Sequence, residues 1–298
     1  MKNRAKSVSL TGIALMLAAA VITGVPKVEA QTYRNLPKAG FFNNSGSYGT
    51  NSPLPKVNGL HLDDNQEERP NNPGAPQGPG QPYNPGEETV NWGLVRWEPK
   101  KMPLAIWISP GIQLPEIPFS QIQSQRVDMV TQMLQNPKPF DGCPVAPGWT
   151  PETNDQVAAG IEQWREFEKE GLFSFGFTDD PRMAHIMVFF TDNFKESDAP
   201  GGIAVGGVTS GQIYPYAQAQ KMKIRQKPVI IELSTSVNHN PQRMQGATAH
   251  EFGHALGIKA HSPYREDIMN VDRVVDFLSP SDKATIRYLY HKPLQWVY

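Results

Sequence analysis

His250, Glu251 and His254 stand at a spacing that could do metal chemistry. On a helix, residues four apart project from one face, so two imidazoles can meet a single ion. Glu251 falls between them and can reach a water at that ion without being a ligand. Gly257 then ends the helix, because glycine accepts left-handed backbone, and lets the chain reverse. His261 can return to the same ion. Three nitrogen ligands and an open fourth position describe a catalytic zinc site, since structural zinc sites are closed by four protein ligands. Three of the seven histidines fall within these twelve residues, whereas His61, His185, His239 and His291 are scattered without metal-ligand spacing. A downstream carboxylate, Glu266 or Asp267, is the alternative third ligand. The reading without chemistry is a helix with two surface histidines and a buried glutamate.

Several elements must position these residues. Met102 to Ser109 reads as a first strand, and Val127, Val130 and Leu134 fall at helical spacing within 120–135. Thr150 can cap a helix with Pro151 at its first position. Val157, Ile161 and Trp164 then share one face of that helix. Leu172 to Phe177 and Ala184 to Phe190 read as strands. Five glycines between Gly201 and Gly211 suggest a bulged strand or a close backbone approach. Val229 to Leu233 is a short buried strand. Pro241 opens a helix that runs to Leu256, and Ser279 with Asp282 caps a last one. The pattern predicts a mixed α/β (α+β) fold: a twisted, mostly parallel sheet of about five strands packed on the helix that bears the histidines, with a C-terminal helix.

The rest of the chain sets the context. It has 298 residues, one cysteine and a formal charge of −1, which excludes an internal disulfide framework and argues against nucleic-acid binding by bulk charge. Lys2, Arg4 and Lys6 precede an uncharged apolar run from Val8 to Val25, and Val28-Glu-Ala30 offers a cleavage-like end. Residues 1–30 therefore read as a secretory signal, with an uncleaved anchor as the rival. Its removal leaves 24 basic and 28 acidic residues, a net of −4, and no span in the mature chain. Residues 31–90 hold nine prolines, eight glycines and nine asparagines, a composition that works against packing a core. Six prolines recur every third residue from Pro70 to Pro85, as along one edge of a polyproline II rod. We read 31–90 as a spacer or propeptide and 91–298 as the folded domain. Cys143 lies in a Pro-rich loop and reads as a lone thiol or an intermolecular bridge.

The run His250-Glu-Phe-Gly-His-Ala-Leu-Gly-Ile-Lys-Ala-His261-Ser262, followed by Met269, resembles the metzincin clan of zinc peptidases, and its matrixin branch most. The likeness covers the chain from about Arg96 to Tyr290. It departs in four places. Three residues, not two, separate Gly257 from His261; Asn270 stands where matrixins commonly carry tyrosine; His185 replaces a common aspartate; and the prodomain cysteine sequence is absent. The resemblance implies a secreted endopeptidase, extracellular or periplasmic, that hydrolyses peptide bonds through a zinc-activated water. It also implies one catalytic zinc on His250, His254 and His261, with Glu251 as the base and Met269 packed beneath the site. Calcium is compatible with the family, although no calcium-loop motif appears. The substrate would be a protein or peptide lying along the edge strand, for which the segment from Gly201 to Ser210 is the candidate. A monomer is expected. The alternative is a zinc-binding extracellular recognition module without turnover.

Overall fold

The computed structural model describes residues 80–87, 90–91, 93–194 and 205–298. The signal-like residues and nearly all of the Pro-rich segment lie outside them. In chain order the elements are β1 (Leu104–Ile108), α1 (Phe119–Met133), α2 (Pro151–Glu162), β2 (Phe175–Phe177), β3 (Ile186–Thr191), β4 (Gly207–Ser210), β5 (Tyr214–Pro215), α3 (Tyr216–Met222), β6 (Val229–Ser234), α4 (Pro241–Leu256), α5 (Pro280–His291) and β7 (Trp296–Val297).

Five strands form one sheet in the order β2-β1-β3-β6-β4. The first four run parallel, and β4 pairs antiparallel with β6 at one edge. Parallel strands need cover on both faces, which is why β3 and β6 read as near-continuous apolar runs and are buried throughout. Alternate side chains divide between two cores. Met187, Phe189 and Ile230 face Val127 and Val130 of α1. Ile186, Val188, Phe190 and Ile231 face Trp164, Phe252, Ile286 and Leu289, on the side of α2, α4 and α5. The mixed α/β sheet expected from the sequence is present, with helices on both faces.

Local signals account for the helix limits. At the start of α2, Thr150 and Thr153 exchange side-chain and backbone hydrogen bonds as a capping box. Asn240 Oδ1 accepts from Arg243 N at 2.8 Å ahead of Pro241 at the start of α4. β2 is shorter than the strand expected from Leu172: a left-handed turn at Gly171 and burial of Phe173 in the core delay pairing until Phe175. The short α3 and the two-stranded β5–β7 pair were not expected. The packed region also begins before 91. Tyr83 is buried, its hydroxyl donates to Asp282 Oδ1 at 2.9 Å, and Lys259 N donates to Pro85 O at 2.9 Å. Among the described residues, no helix is long and apolar enough to cross a membrane.

Candidate metal centre

Helix α4 is buried along most of its length, so its carbonyls need partners inside the protein. Aromatic side chains from four distant segments bond to them, three in the last turn and one at mid-helix. Trp164 Nε1 donates to Ala249 O at 3.1 Å, Tyr298 Oη to His254 O at 2.6 Å, Trp97 Nε1 to Ala255 O at 2.8 Å and Tyr290 Oη to Leu256 O at 2.9 Å. These donors fix the helix in rotation and depth, which a purely apolar contact would not do.

Gly257 has φ of 118°, and a side chain there would collide with the Val95 carbonyl. Only glycine allows both the left-handed stop and that approach. The chain then reverses through Ile258 to Ala260, the loop with the extra residue, and returns His261 to α4. The turn beyond it is closed by its own hydrogen bonds. Ser262 N donates to Met269 O at 3.0 Å, and Asn270 Nδ2 to Ser262 O at 2.6 Å. Asp267 accepts from Ser262 and Ser279 hydroxyls, the latter at 2.5 Å, so this carboxylate holds the turn together. The grouped candidate ligands are His250, His254 and His261, and neither Glu266 nor Asp267 is among them.

The ligand atoms of the three histidines lie within 4.8 Å of one another. Nδ1 of His250 faces Ile268 O at 2.7 Å, and Nδ1 of His254 faces Ile258 O at 2.6 Å. A carbonyl can only accept, so each Nδ1 carries the proton and each Nε2 is left with a free lone pair. The two Nε2 atoms are 3.1 Å apart. Burial pushes His250 well below the ordinary imidazole range, with His261 and Arg273 adding to it. Burial, then His250, His261 and Lys259, does the same to His254, and desolvation of the ring lowers His261, although the residue as a whole is exposed. Three neutral imidazoles are in the protonation state that binds a cation. The three close histidines could therefore hold a metal ion.

Glu251 is buried beside them. Its carboxylate accepts from Thr209 Oγ1 of β4 at 2.7 Å. Burial lifts it to about 7, against the pull of that hydroxyl and of Arg273 and Lys259. Lys259, the middle residue of the longer loop, has its Nζ 5.4 Å from the centre of the Tyr298 ring. Met269 is fully buried below the histidines, and its thioether presses on Gly253 of α4 so closely that a Cβ there would overlap it. The same Cβ would stand 3.0 Å from Trp164. Gly253, between Glu251 and His254, is thus required by packing.

The structure brings together His250, Glu251, His254, His261, Gly257 and Met269, all chosen from sequence. The expected edge is β4: it lies at the sheet edge with Gly207 and Thr209 against Glu251, while 201–204 fall outside the described residues. Cys143 is partly buried and packs with the α1-side core, away from the histidines. Sequence reasoning missed the aromatic donors to α4, Thr209, Lys259 and Arg273. Of these, Lys259 carried a signal, since it lies in the loop whose length is unusual. No protein-family model matches the chain, and no curated protein matches it.

Proposed function

We propose that the protein is a secreted zinc-dependent endopeptidase of the metzincin type. The observation that carries this is the convergence of three imidazoles beside one buried glutamate that, among the described residues, forms no ion pair. Zinc fits the donor set. With zinc–nitrogen distances of 2.0–2.1 Å, tetrahedral ligands stand about 3.3 Å apart, close to the 3.1 Å between Nε2 of His250 and His254. When bound, the ion supplies Lewis acidity that polarises a substrate carbonyl and acidifies water. His250, His254 and His261 would hold it. The carbonyls of Ile268 and Ile258 orient two of the rings, as outer partners of metal-binding histidines commonly do.

Glu251 does the proton work. An acid whose carboxylate is pushed to about 7 is matched to neutral conditions: it can take a proton from the attacking water and return it to the leaving amide nitrogen. Thr209 holds the carboxylate on the β4 side. An extended peptide can add to the outer edge of β4, its backbone pairing with the strand and its scissile carbonyl brought to the histidines.

The test is Glu251→Gln with zinc content measured in parallel. The variant should keep about one zinc per chain and lose casein hydrolysis by about 10²- to 10⁴-fold. Full hydrolysis with zinc retained would remove Glu251 as the base. Zinc without hydrolysis of any unfolded protein by the parent chain would leave a recognition module instead.

A further inference from the structure

The carbonyls that orient His250 and His254 belong to two peptide groups whose opposite ends are also held. In a trans peptide the C=O and the N–H leave one plane in opposite directions, so an acceptor on the N–H aims the C=O. The 258–259 group gives Ile258 O to Nδ1 of His254 at 2.6 Å, and its N–H, on Lys259, donates to Pro85 O at 2.9 Å. The 268–269 group gives Ile268 O to Nδ1 of His250 at 2.7 Å, and its N–H, on Met269, donates to Asp282 Oδ1 at 3.3 Å. Tyr83 Oη donates to that same oxygen at 2.9 Å, and Asp282 Oδ2 accepts from Ile268 N at 2.8 Å. Both peptide groups are thus backed by one short segment, directly at Pro85 and through Asp282 at Tyr83.

The segment is seated firmly enough to do this. Residues 80–86 lie in no helix or strand, so their backbone groups need partners elsewhere. Gly80 N donates to Ser281 Oγ at 2.9 Å and Tyr83 N to Thr285 Oγ1 at 3.0 Å, hydroxyls one turn apart on α5. Pro82 and Pro85, the last two prolines of the three-residue period, flank Tyr83 and Asn84 and restrict the backbone there. Asn84 Oδ1 accepts from Gly86 N at 2.9 Å and fixes the exit. Tyr83, Pro85 and Gly86 are buried. A hydrogen-bonded N–H also polarises its peptide group, which makes the carbonyl a better acceptor for the imidazole.

Resting on the metal-site part of the reading above, and not on hydrolysis, we infer that residues 80–87 are a strap that sets the rings of His250 and His254 through these two peptide groups. Tyr83 is a positioning residue for His250, and Pro85 is one for His254. Neither touches a histidine, yet the metal affinity of the site depends on both. The end of the Pro-rich region is therefore a working part of the folded domain, and a maturation cut in that region falls at or before Tyr83.

Tyr83→Phe keeps the ring and removes the donor to Asp282. In the full chain, zinc affinity measured by chelator competition should fall about tenfold or more. Val127→Ala, in the core on the other face of the sheet, controls for lost stability and should leave that affinity unchanged. A second readout needs no metal. In the zinc-free protein the Nδ1 protons of His250 and His254 should give separate NMR signals protected from exchange with water. Tyr83→Phe should speed exchange of the His250 proton about tenfold or more and spare that of His254, whose carbonyl is held through Pro85. A merely structural role for Tyr83 would speed both alike. Parent-like zinc affinity, or equal effects on the two protons, overturns the inference. If the parent chain binds no zinc, the metal reading fails, and the two protons decide alone. Mass spectrometry of the processed protein should place its N-terminus at or before Tyr83. A zinc-binding form that starts beyond Tyr83 overturns the strap.

Discussion

Two buried carboxylates stand on opposite faces of the same sheet edge, and they are treated differently. Glu232 of β6 is 3% exposed and Glu251 of α4 is 6% exposed. Val208 of β4 is in register with Glu232, while the next residue, Thr209, donates to Glu251 from the other face. Glu232 has a full partner: Arg126 Nε of α1 lies 2.7 Å away, and Arg126 Nη1 also donates to Pro115 O at 2.8 Å. Among the described residues, Glu251 has one hydroxyl donor, Thr209, and two cations, Arg273 and Lys259, that form no ion pair with it. Burial raises both from the ordinary carboxylate range, in Glu232 despite Arg126 and in Glu251 to about 7. A carboxylate saturated by an ion pair is held in place. One left with a single neutral donor can exchange a proton, and only the second kind is useful as a base.

The largest expected effect separates these roles. Glu232→Gln leaves Arg126 buried without its counter-charge and should cost about 3–5 kcal/mol in denaturant unfolding. Glu251→Gln keeps an oxygen that can accept from Thr209 and should change stability by less than about 1 kcal/mol under the same zinc-saturated conditions. Replacing both members of the pair on the α1 side, Arg126→Met with Glu232→Leu, should recover most of the loss, since a well-packed apolar pair can replace a buried ion pair. Equal losses for Glu232→Gln and Glu251→Gln would break the contrast.

A smaller effect tests the packing under the metal face. Gly253→Ala forces Met269 and Trp164 apart, and overpacking of this kind costs about 1–3 kcal/mol. Met269 must give way directly below the histidines, so zinc affinity in competition with a chelator should fall by about tenfold. Among the described residues, the α1 face carries no group of candidate metal ligands. A core substitution there, such as Val127→Ala, should lower stability without changing zinc affinity. A Gly253→Ala protein with parent-like zinc affinity would show that Met269 does not support the site.

Much of this was legible in the sequence, because the governing signals are local. The limits of α4 follow from Asn240-Pro241 and Gly257, the start of α2 from Thr150 and Pro151, and β3 and β6 from near-continuous apolar runs. The site residues were readable because five of the six lie on one helix and its return. What was not legible depends on distant partners. Glu232 and Arg126 are 106 positions apart, yet each carried a hint: a lone charge inside an apolar strand, and one inside the buried stripe of Ile122, Val127 and Val130. A charge in a buried stripe demands a counter-charge, but the sequence does not say where. The aromatic donors to α4 had no comparable signal, since they do not follow from periodicity.

The smallest effect extends the comparison from carboxylates to imidazoles. In His250 and His254, Nδ1 donates to a carbonyl and Nε2 is kept free. In His185, at the start of β3, the order is reversed: Nδ1 accepts from Ala105 N at 2.9 Å, so the proton sits on Nε2. A second proton would have to displace that backbone bond. Burial, followed by the charge of Lys101, holds His185 below its ordinary value of 6.5. The sign follows from linkage: the unfolded chain takes up a proton near pH 6.5 and the folded chain resists it, so the contribution of His185 is complete above pH 6.5 and is lost as pH falls below that value. His185→Asn offers an oxygen to Ala105 N and cannot titrate. Denaturant unfolding from pH 8 to 5 should therefore show a steeper decline for the parent than for the variant, by less than one proton. The metal-site histidines are common to both proteins and cancel in the difference. Parallel declines would mean that the folded chain protonates His185 as readily as the unfolded chain does, and that its Nδ1 is not a committed acceptor.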